Sequence, residues 1–261
     1  MEYHALGMML LLLLLLSVSF AFETNETNAV TAGDATYRAW IKKEYYDGKH
    51  ITLGYSKARI EMYNRIDLHN NLIECVYSGA RFEHKETNST DVKNVNCEHT
   101  VPQSFFNEKD PMKSDLNHLF PTYEPWNGMR SNYGFSTIDP QDVTFWLLEL
   151  NKSSSVPKSS LDAYSRYQKN KFFEPRKVHS GNLARAVLYF FTMYDGYLNV
   201  MPRVATVEQL CAWHYADPVD AAELARNKAV AVAQGNGNPY IEHPEYLEKA
   251  WGCQKSFSKW I

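Results

Sequence analysis

Residues 94–133 hold the side chains best suited to chemistry. Glu98-His99 is followed by Asp115-Leu116-Asn117-His118 and then by Asn127-Gly128-Met129-Arg130-Ser131-Asn132. These are the types needed to hold a hard divalent cation, deprotonate a water and grip a phosphate. Hydrolysing a phosphodiester at neutral pH requires a base for the water, neutralisation of charge in the transition state and stabilisation of the leaving oxygen. His99 is the natural base, because an imidazole with a pKa near ~6.5 is largely neutral at pH 7 yet still basic. Glu98 and Asn127 are oxygen ligands suited to Mg²⁺, which takes few protein ligands, and Mn²⁺ is expected to substitute. One carboxylate and one neutral amide would leave roughly +1 on such a site, which favours an incoming phosphate. His118, between two leucines, reads as a structural histidine rather than a ligand.

The elements must bring these groups together. Residues 92–97 are expected to form a short strand with Glu98-His99 at its end. Neighbours on a regular strand point to opposite faces, so both serve one site only if the chain leaves the strand there, as Pro102 suggests. Asn127 is expected on a short helix starting near Thr122, with Pro125 tolerated in its first turn. Arg130, three residues on, shares its face and could reach a phosphate oxygen beside the metal. A further strand is predicted over 72–77. Helices are predicted over 34–48, 55–70, 181–194 and 207–215 from apolar spacing. Another is predicted to Gln234, with Asp217 as N-cap, Pro218 at its first position and Gly235 past its end. Residues 143–150 fit a helix or a strand. Helices outweigh short strands, so the fold class is α+β: a small strand–strand–helix core carrying the site, wrapped by several helices.

The apolar run Met8–Leu16, followed by small residues ending Ser19-Phe20-Ala21, predicts a secretory signal peptide over 1–21. Residues 22–261 then suffice for one domain. With 27 Lys and Arg against 30 Asp and Glu, the net charge of −3 does not suit a basic nucleic-acid-packaging protein. An enzyme can confine positive charge to a cleft. Four cysteines after a leader suggest two disulfides. Of the three pairings, Cys75–Cys97 and Cys211–Cys253 are the shorter closures. There is no C-x-x-C pair to suggest structural zinc. Asn25, Asn88 and Asn151 begin N-glycosylation triplets in polar stretches.

The ordered motifs resemble the endonuclease I family of the ββα-metal (His-Me finger) superfamily, secreted and periplasmic non-specific nucleases. Cys97-Glu98-His99-x-Val101-Pro102, Asp115-Leu116-x-His118-Leu119-Phe120-Pro121 and Asn127-Gly128-x-Arg130-Ser131-Asn132-Tyr133 resemble its blocks. So do Phe173-Glu174-Pro175-Arg176, Gly181-Asn182-Leu183-Ala184-Arg185, Trp213-His214-x-x-Asp217-Pro218 and Gln234-Gly235-Asn236-x-Asn238-Pro239. The resemblance implies a ββα-metal core, His99 as general base, Glu98 and Asn127 on one Mg²⁺, and DNA, often RNA too, as substrate with 5′-phosphate products. Arg130 and Arg176 are then the expected substrate contacts, and His118, Asn132 and Glu174 the supporting residues. The chain departs from the pattern at Asn117, where the family often has His. The interval in which some members place a charge-stabilising arginine contains only Lys109 and Lys113, leaving Arg130, Arg176 or Arg185 to substitute. The expected protein is a secreted monomer with no membrane attachment after leader removal. Two other readings use the same residues: a secreted non-catalytic glycoprotein, or a metal-dependent phosphodiesterase for other substrates.

Overall fold

The computed structural model describes residues 33–256, so the predicted leader and the Asn25 triplet lie outside the described residues. Helix α1 (Ala35–Tyr45) opens the domain, capped by Asp34, whose Oδ1 accepts from the Tyr37 N–H at 3.0 Å. Helix α2 (Tyr55–Glu61) continues into a π-turn over Met62–Ile66. The wider turn carries Asn64, whose buried amide holds residues 84–89 through His84, the Thr87 N–H and the Ser89 carbonyl. Strands β1 (Leu68–His69), β2 (Leu72–Glu74) and β3 (Arg81–Glu83) form one antiparallel sheet. Strands β4 (Val95–His99) and β5 (Leu119–Tyr123) form an antiparallel pair that leads into helix α3 (Glu124–Arg130). This β4–β5–α3 unit is the core on which the candidate site is built.

Strand β5 was not expected. Strands were expected here only over 72–77 and 92–97, and the helix, expected to start near Thr122, begins two residues later at Glu124. Pro121 is the reason, since proline inside a run argues against a paired strand. Here Pro121 lies opposite Cys97, and its carbonyl accepts from the Val76 N–H on the other edge of β5. The N–H and C=O of one strand residue point the same way. The missing donor of Pro121 therefore faces away from β4, and the ladder loses nothing.

Strands β6 (Gly134–Phe135), β7 (Phe145–Leu148), β8 (Asn151–Ser153), β9 (Ser165–Gln168) and β10 (Phe172–Glu174) form a mixed sheet in the order β6-β10-β9-β7-β8. Its one parallel pairing is β6 with β10. The ambiguous stretch 143–150 is thus a strand. Helix α4 (Lys177–Met193) threads the main core with both its apolar and several polar side chains buried. Helices α5 (Met201–Val204), α6 (Val207–Ala216), α7 (Ala221–Gln234), α8 (Pro239–Glu242) and α9 (Tyr246–Trp251) complete the wrap. The α+β class is as expected. Among the described residues no helix is long and apolar enough to cross a membrane.

Helix α7 starts later than predicted. Its N-cap is Asp220, whose Oδ1 accepts from the Glu223 N–H at 2.8 Å, and Gly235 closes it at φ +83°. Asp217 is used instead to receive the Gly181 N–H at 2.8 Å. A Cβ at Gly181 would run into the Asp217 carbonyl, so only glycine allows this approach. Beside it, Arg185 grips Glu223 through two hydrogen bonds of 2.8 and 2.6 Å and sets its Nη1 3.2 Å from His214 Nδ1.

Cys211 and Cys253 form the expected disulfide, tying α6 to the segment after α9. The other expected bridge is absent. Cys75 and Cys97 are buried free thiols. They flank β5: Cys97 pairs with Pro121 on one side, while Cys75 Sγ accepts the Tyr123 N–H on the other. A strand between them replaces the direct approach that a disulfide requires.

The His214 environment has a consequence for stability. Burial, and secondarily Arg185, pushes this imidazole down to about 4, so the folded chain refuses a proton that the unfolded chain takes up near ~6.5. Stability is then fully present above the unfolded pKa and falls as pH drops from there towards about 4. The expected loss between pH 7 and pH 5 is about 2 kcal/mol for this group. Urea unfolding of the native chain beside His214→Gln at the two pH values checks it, because the variant should lack that increment.

Candidate metal and phosphate site

Strand β4 ends at His99, and the chain turns through Thr100-Val101-Pro102 into a 3₁₀ turn over Gln103–Phe106. Helix α3 packs beside the strand. Between them lies an open cleft of ≈ 290 Å³, lined by Glu98, His99, Asn127 and Asn132, with Gln103, Ser104 and Ser131 among its other walls. The end of the strand thus lets two neighbours with opposite side-chain directions border one space.

The two faces are visible in the contacts. Glu98 is buried towards Tyr77 and Arg130: Oε1 accepts the Tyr77 hydroxyl at 2.7 Å and lies 3.0 Å from Arg130 Nη1. Burial pushes its carboxyl pKa up, while Arg130 and Tyr77 oppose that rise. Both contacts fall on Oε1, and among the described residues Oε2 carries none. His99 turns the other way, with its ring 5.5 Å from that of Tyr55 and 5.7 Å from that of His118. Its Nε2 lies 3.0 Å from the Lys113 carbonyl oxygen. A carbonyl can only accept, so Nε2 carries the hydrogen and Nδ1 keeps the lone pair. Burial, aided by His118, pushes the His99 pKa down to about 3. Burial therefore favours the neutral imidazole at pH 7, while also lowering its basicity.

Asn127 donates its amide N–H to the Cys97 carbonyl at 3.3 Å. This orients the side chain and leaves Oδ1 as the available atom. Glu98 Oε2 and Asn127 Oδ1 are then two hard oxygens on adjacent elements bordering the same cleft. That donor set fits Mg²⁺ or Mn²⁺ with water completing the shell. Among the described residues there is no group of three or more His, Cys, Asp or Glu that could hold a metal by itself. The donors that border the cleft are thus one carboxylate and one amide. Arg130 beside the carboxylate offsets its charge, so a divalent ion would leave the site more positive than the roughly +1 expected from its ligands alone.

Arg130 itself is not placed as a phosphate contact. It is 1 % exposed and sits over Phe135, with the carbonyls of His99, Thr100 and Ser131 accepting from it at 3.1, 2.7 and 3.3 Å. It fixes the end of β4 and the Glu98 carboxylate. Arg176 is also committed elsewhere: it pairs with Glu74 at 2.6 Å, donates to the Val76 carbonyl and does not line the cleft. Arg185 is buried against Glu223. Arg130 borders the cleft, but all three arginines considered for charge stabilisation are engaged with a carboxylate of the fold. Each satisfies a buried carboxylate or carbonyl, as an interior charge must.

The supporting residues divide similarly. His118 is fully buried, donates Nε2–H to the Met112 carbonyl at 2.7 Å and packs edge-on against Phe190. It is structural, as expected. Glu174 pairs with Arg166 at 3.0 Å and accepts the Ile138 N–H, so it braces the mixed sheet. Asn132 is exposed on the rim of the cleft. Beside it Ser131 has φ +51° and ψ −126°. Non-glycine residues held in such regions cost of order 1–3 kcal/mol and concentrate at functional sites.

The distant motifs meet behind the site. Asp115 is fully buried and accepts from the Asn117 N–H, Gln234 Nε2, and the Tyr189 and Tyr194 hydroxyls, at 3.0, 2.7, 2.9 and 2.7 Å. Arg226 grips Asp67 and donates to the Leu119 carbonyl at the start of β5. Asn227 holds the Asn238 backbone. Asn117, at the position of departure, contacts the Asn236 carbonyl at 3.4 Å and belongs to this scaffold. The roles of Tyr77, Tyr55 and the Lys113 carbonyl were not anticipated. No motif marks the two tyrosines, and a main-chain acceptor leaves no trace in residue identity.

A family model described as Endonuclease I matches residues 20–245. An extracellular ribonuclease of Bacillus amyloliquefaciens is 28 % identical over 198 residues, covering 70 % of this chain and 62 % of the relative. A periplasmic deoxyribonuclease of Aeromonas hydrophila is 29 % identical over 135 residues, covering 52 % of this chain and 50 % of the relative. An extracellular deoxyribonuclease of the same species is 30 % identical over 135 residues, covering 52 % and 51 %. The matched region thus spans between half and two thirds of each relative's length.

Proposed function

Because the chain belongs to the Endonuclease I family, we propose that it is a secreted, Mg²⁺-dependent endonuclease that hydrolyses phosphodiester bonds of DNA, and of RNA, with little sequence specificity. The observation that carries this reading is the shared cleft of Glu98, His99 and Asn127, with a neutral His99 whose Nε2–H is fixed by the Lys113 carbonyl. Its relatives, named as extracellular or periplasmic nucleases of both kinds, support the substrate class and location.

Glu98 and Asn127 would hold the ion, which when bound supplies Lewis-acid neutralisation of the phosphate charge. The remaining work falls to the chain. His99 Nδ1 takes a proton from a water as that water's oxygen bonds to phosphorus. The bond from phosphorus to the 3′ oxygen breaks, the 3′ oxygen takes a proton from solvent water, and a 5′-phosphate remains. Tyr77 and Arg130 keep the Glu98 carboxylate from turning away, and Lys113 keeps His99 in its reactive tautomer. The sequence carries no recognition motif for base edges, and phosphate-directed contacts carry no direct sequence information.

Plasmid digestion tests this. Mg²⁺ should support nicking and then a continuous smear, excess EDTA should abolish it, and added Mg²⁺ should restore it without refolding. Rising salt should weaken cleavage. Full activity in excess chelator, or a discrete ladder of fragments, would contradict the metal and specificity assignments respectively.

A further inference from the structure

Helix α3 borders a second depression besides the cleft. Asn127 and Arg130 form one stripe at i, i+3. Trp126 and Met129 form the next, rotated by about 100° around the helix. This second stripe faces an open groove of ≈ 480 Å³ whose other walls include Pro125, Phe145 and Tyr167. That volume lies within the range of about 300–1,000 Å³ typical of small-ligand sites. Lys152 and Lys169 stand at the groove and are exposed, and neither takes part in an ion pair among the described residues. The Lys152 ammonium lies 4.7 Å from the Phe145 ring centroid.

The Trp126 indole N–H is committed to the Glu149 carbonyl at 2.8 Å, and the Tyr167 hydroxyl already serves as an acceptor for the Asn170 N–H at 3.3 Å. What a ligand can meet is the partly exposed Phe145 ring, Met129 and Pro125, and two positive charges; the Trp126 and Tyr167 rings are themselves buried. That combination suits unpaired bases, whose faces can stack while their phosphates meet lysines. A duplex hides its base faces and gains only the charge. The groove's one uncharged polar side chain beyond these walls is Thr144, whose hydroxyl accepts the Lys169 N–H at 3.0 Å.

We propose that this groove is a binding subsite for single-stranded DNA, continuing across α3 from the catalytic cleft and holding the strand next to the scissile phosphate. The proposal rests on the nuclease reading for the identity of the strand, and binding can be measured without cleavage.

The test uses the full chain in excess EDTA and a fluorescein-labelled oligodeoxynucleotide, followed by anisotropy. Its arms are the single strand, the same sequence as duplex, and the RNA equivalent. Lys152→Glu with Lys169→Glu reverses both surface charges, and Phe145→Leu keeps apolar bulk while removing the ring. Phe145→Leu should weaken single-strand binding about tenfold and leave duplex binding unchanged. The double lysine variant should weaken single-strand binding by about tenfold or more and lower its salt dependence. Hydrolysis of bis(p-nitrophenyl) phosphate, too small to reach the groove from the cleft, should be unchanged in both. Unaltered single-strand binding in the lysine variant would overturn the proposal. So would equal losses on single strand and duplex with Phe145→Leu, or binding of RNA in preference to DNA. Native protein that binds the strand through the groove yet cuts neither plasmid nor the small diester would instead refute the nuclease reading alone.

Discussion

Replacing His99 with alanine is expected to lower the single-turnover cleavage rate by about 10²–10⁴-fold, the usual worth of general-base assistance. The structure gives three reasons to place the loss on the chemical step. The ring borders the same cleft as Glu98 and Asn127. Its Nε2–H is committed to the Lys113 carbonyl, which leaves Nδ1 as the proton acceptor. Burial keeps the imidazole neutral, so no part of its population is lost to protonation near pH 7. The loss should persist at saturating Mg²⁺ and saturating DNA. A His99→Ala chain that cleaves at a near-native rate would remove the base from this account.

The second large effect is expected in folding. Arg130→Ala should destabilise the protein by about 3–5 kcal/mol in urea unfolding, because it leaves a buried carboxylate unpaired. Arg130 and Glu98 are 1 % and 3 % exposed at their side chains, so solvent cannot replace the lost partner. The variant also strips donors from the carbonyls of His99 and Thr100 at the end of β4. A direct phosphate contact predicts the opposite pattern. Stability would then change by no more than about 0.5 kcal/mol, while KM for DNA would rise. Unfolding and steady-state kinetics on one preparation separate the two.

How far the sequence led to this site depended on what kind of information each feature needs. That Glu98, His99 and Asn127 would meet in one cleft was legible because metal and base chemistry demands particular residue types. The short helix carrying Asn127 was legible because Pro125 fits its first turn. The disulfide between Cys211 and Cys253 followed from spacing. The bridge proposed for Cys75 and Cys97 failed because spacing along the chain says nothing of a strand running between two thiols. That strand, β5, was itself hidden by Pro121, whose tolerance depends on which edge of the ladder it faces. Arginines were the hardest to place. Arg130, Arg176 and Arg185 were left as alternatives for the charge-stabilising arginine, and each is held by a carboxylate from another segment. Such partners lie up to about a hundred residues away in sequence, as for Glu74 and Arg176, so only the fold reveals that the charge is already spent. The Asp115 network shows the same thing from the other side. The Gln234–Asn236 motif is far from the cleft in sequence and serves to lock the loop entering β5.

The division of labour within the Glu98–His99 pair is the centre of the account, and calorimetric titration of Mg²⁺ tests it most directly. Native protein, His99→Ala and Glu98→Gln would be titrated under one buffer condition. The Gln side chain keeps the size of Glu98 and removes the charge that a hard cation requires. Native protein and His99→Ala should bind Mg²⁺ with the same affinity, and Glu98→Gln should bind it about tenfold more weakly or not measurably. Normal Mg²⁺ affinity in Glu98→Gln, or its loss in His99→Ala, would contradict the assignment of Glu98 to the metal and His99 to the proton.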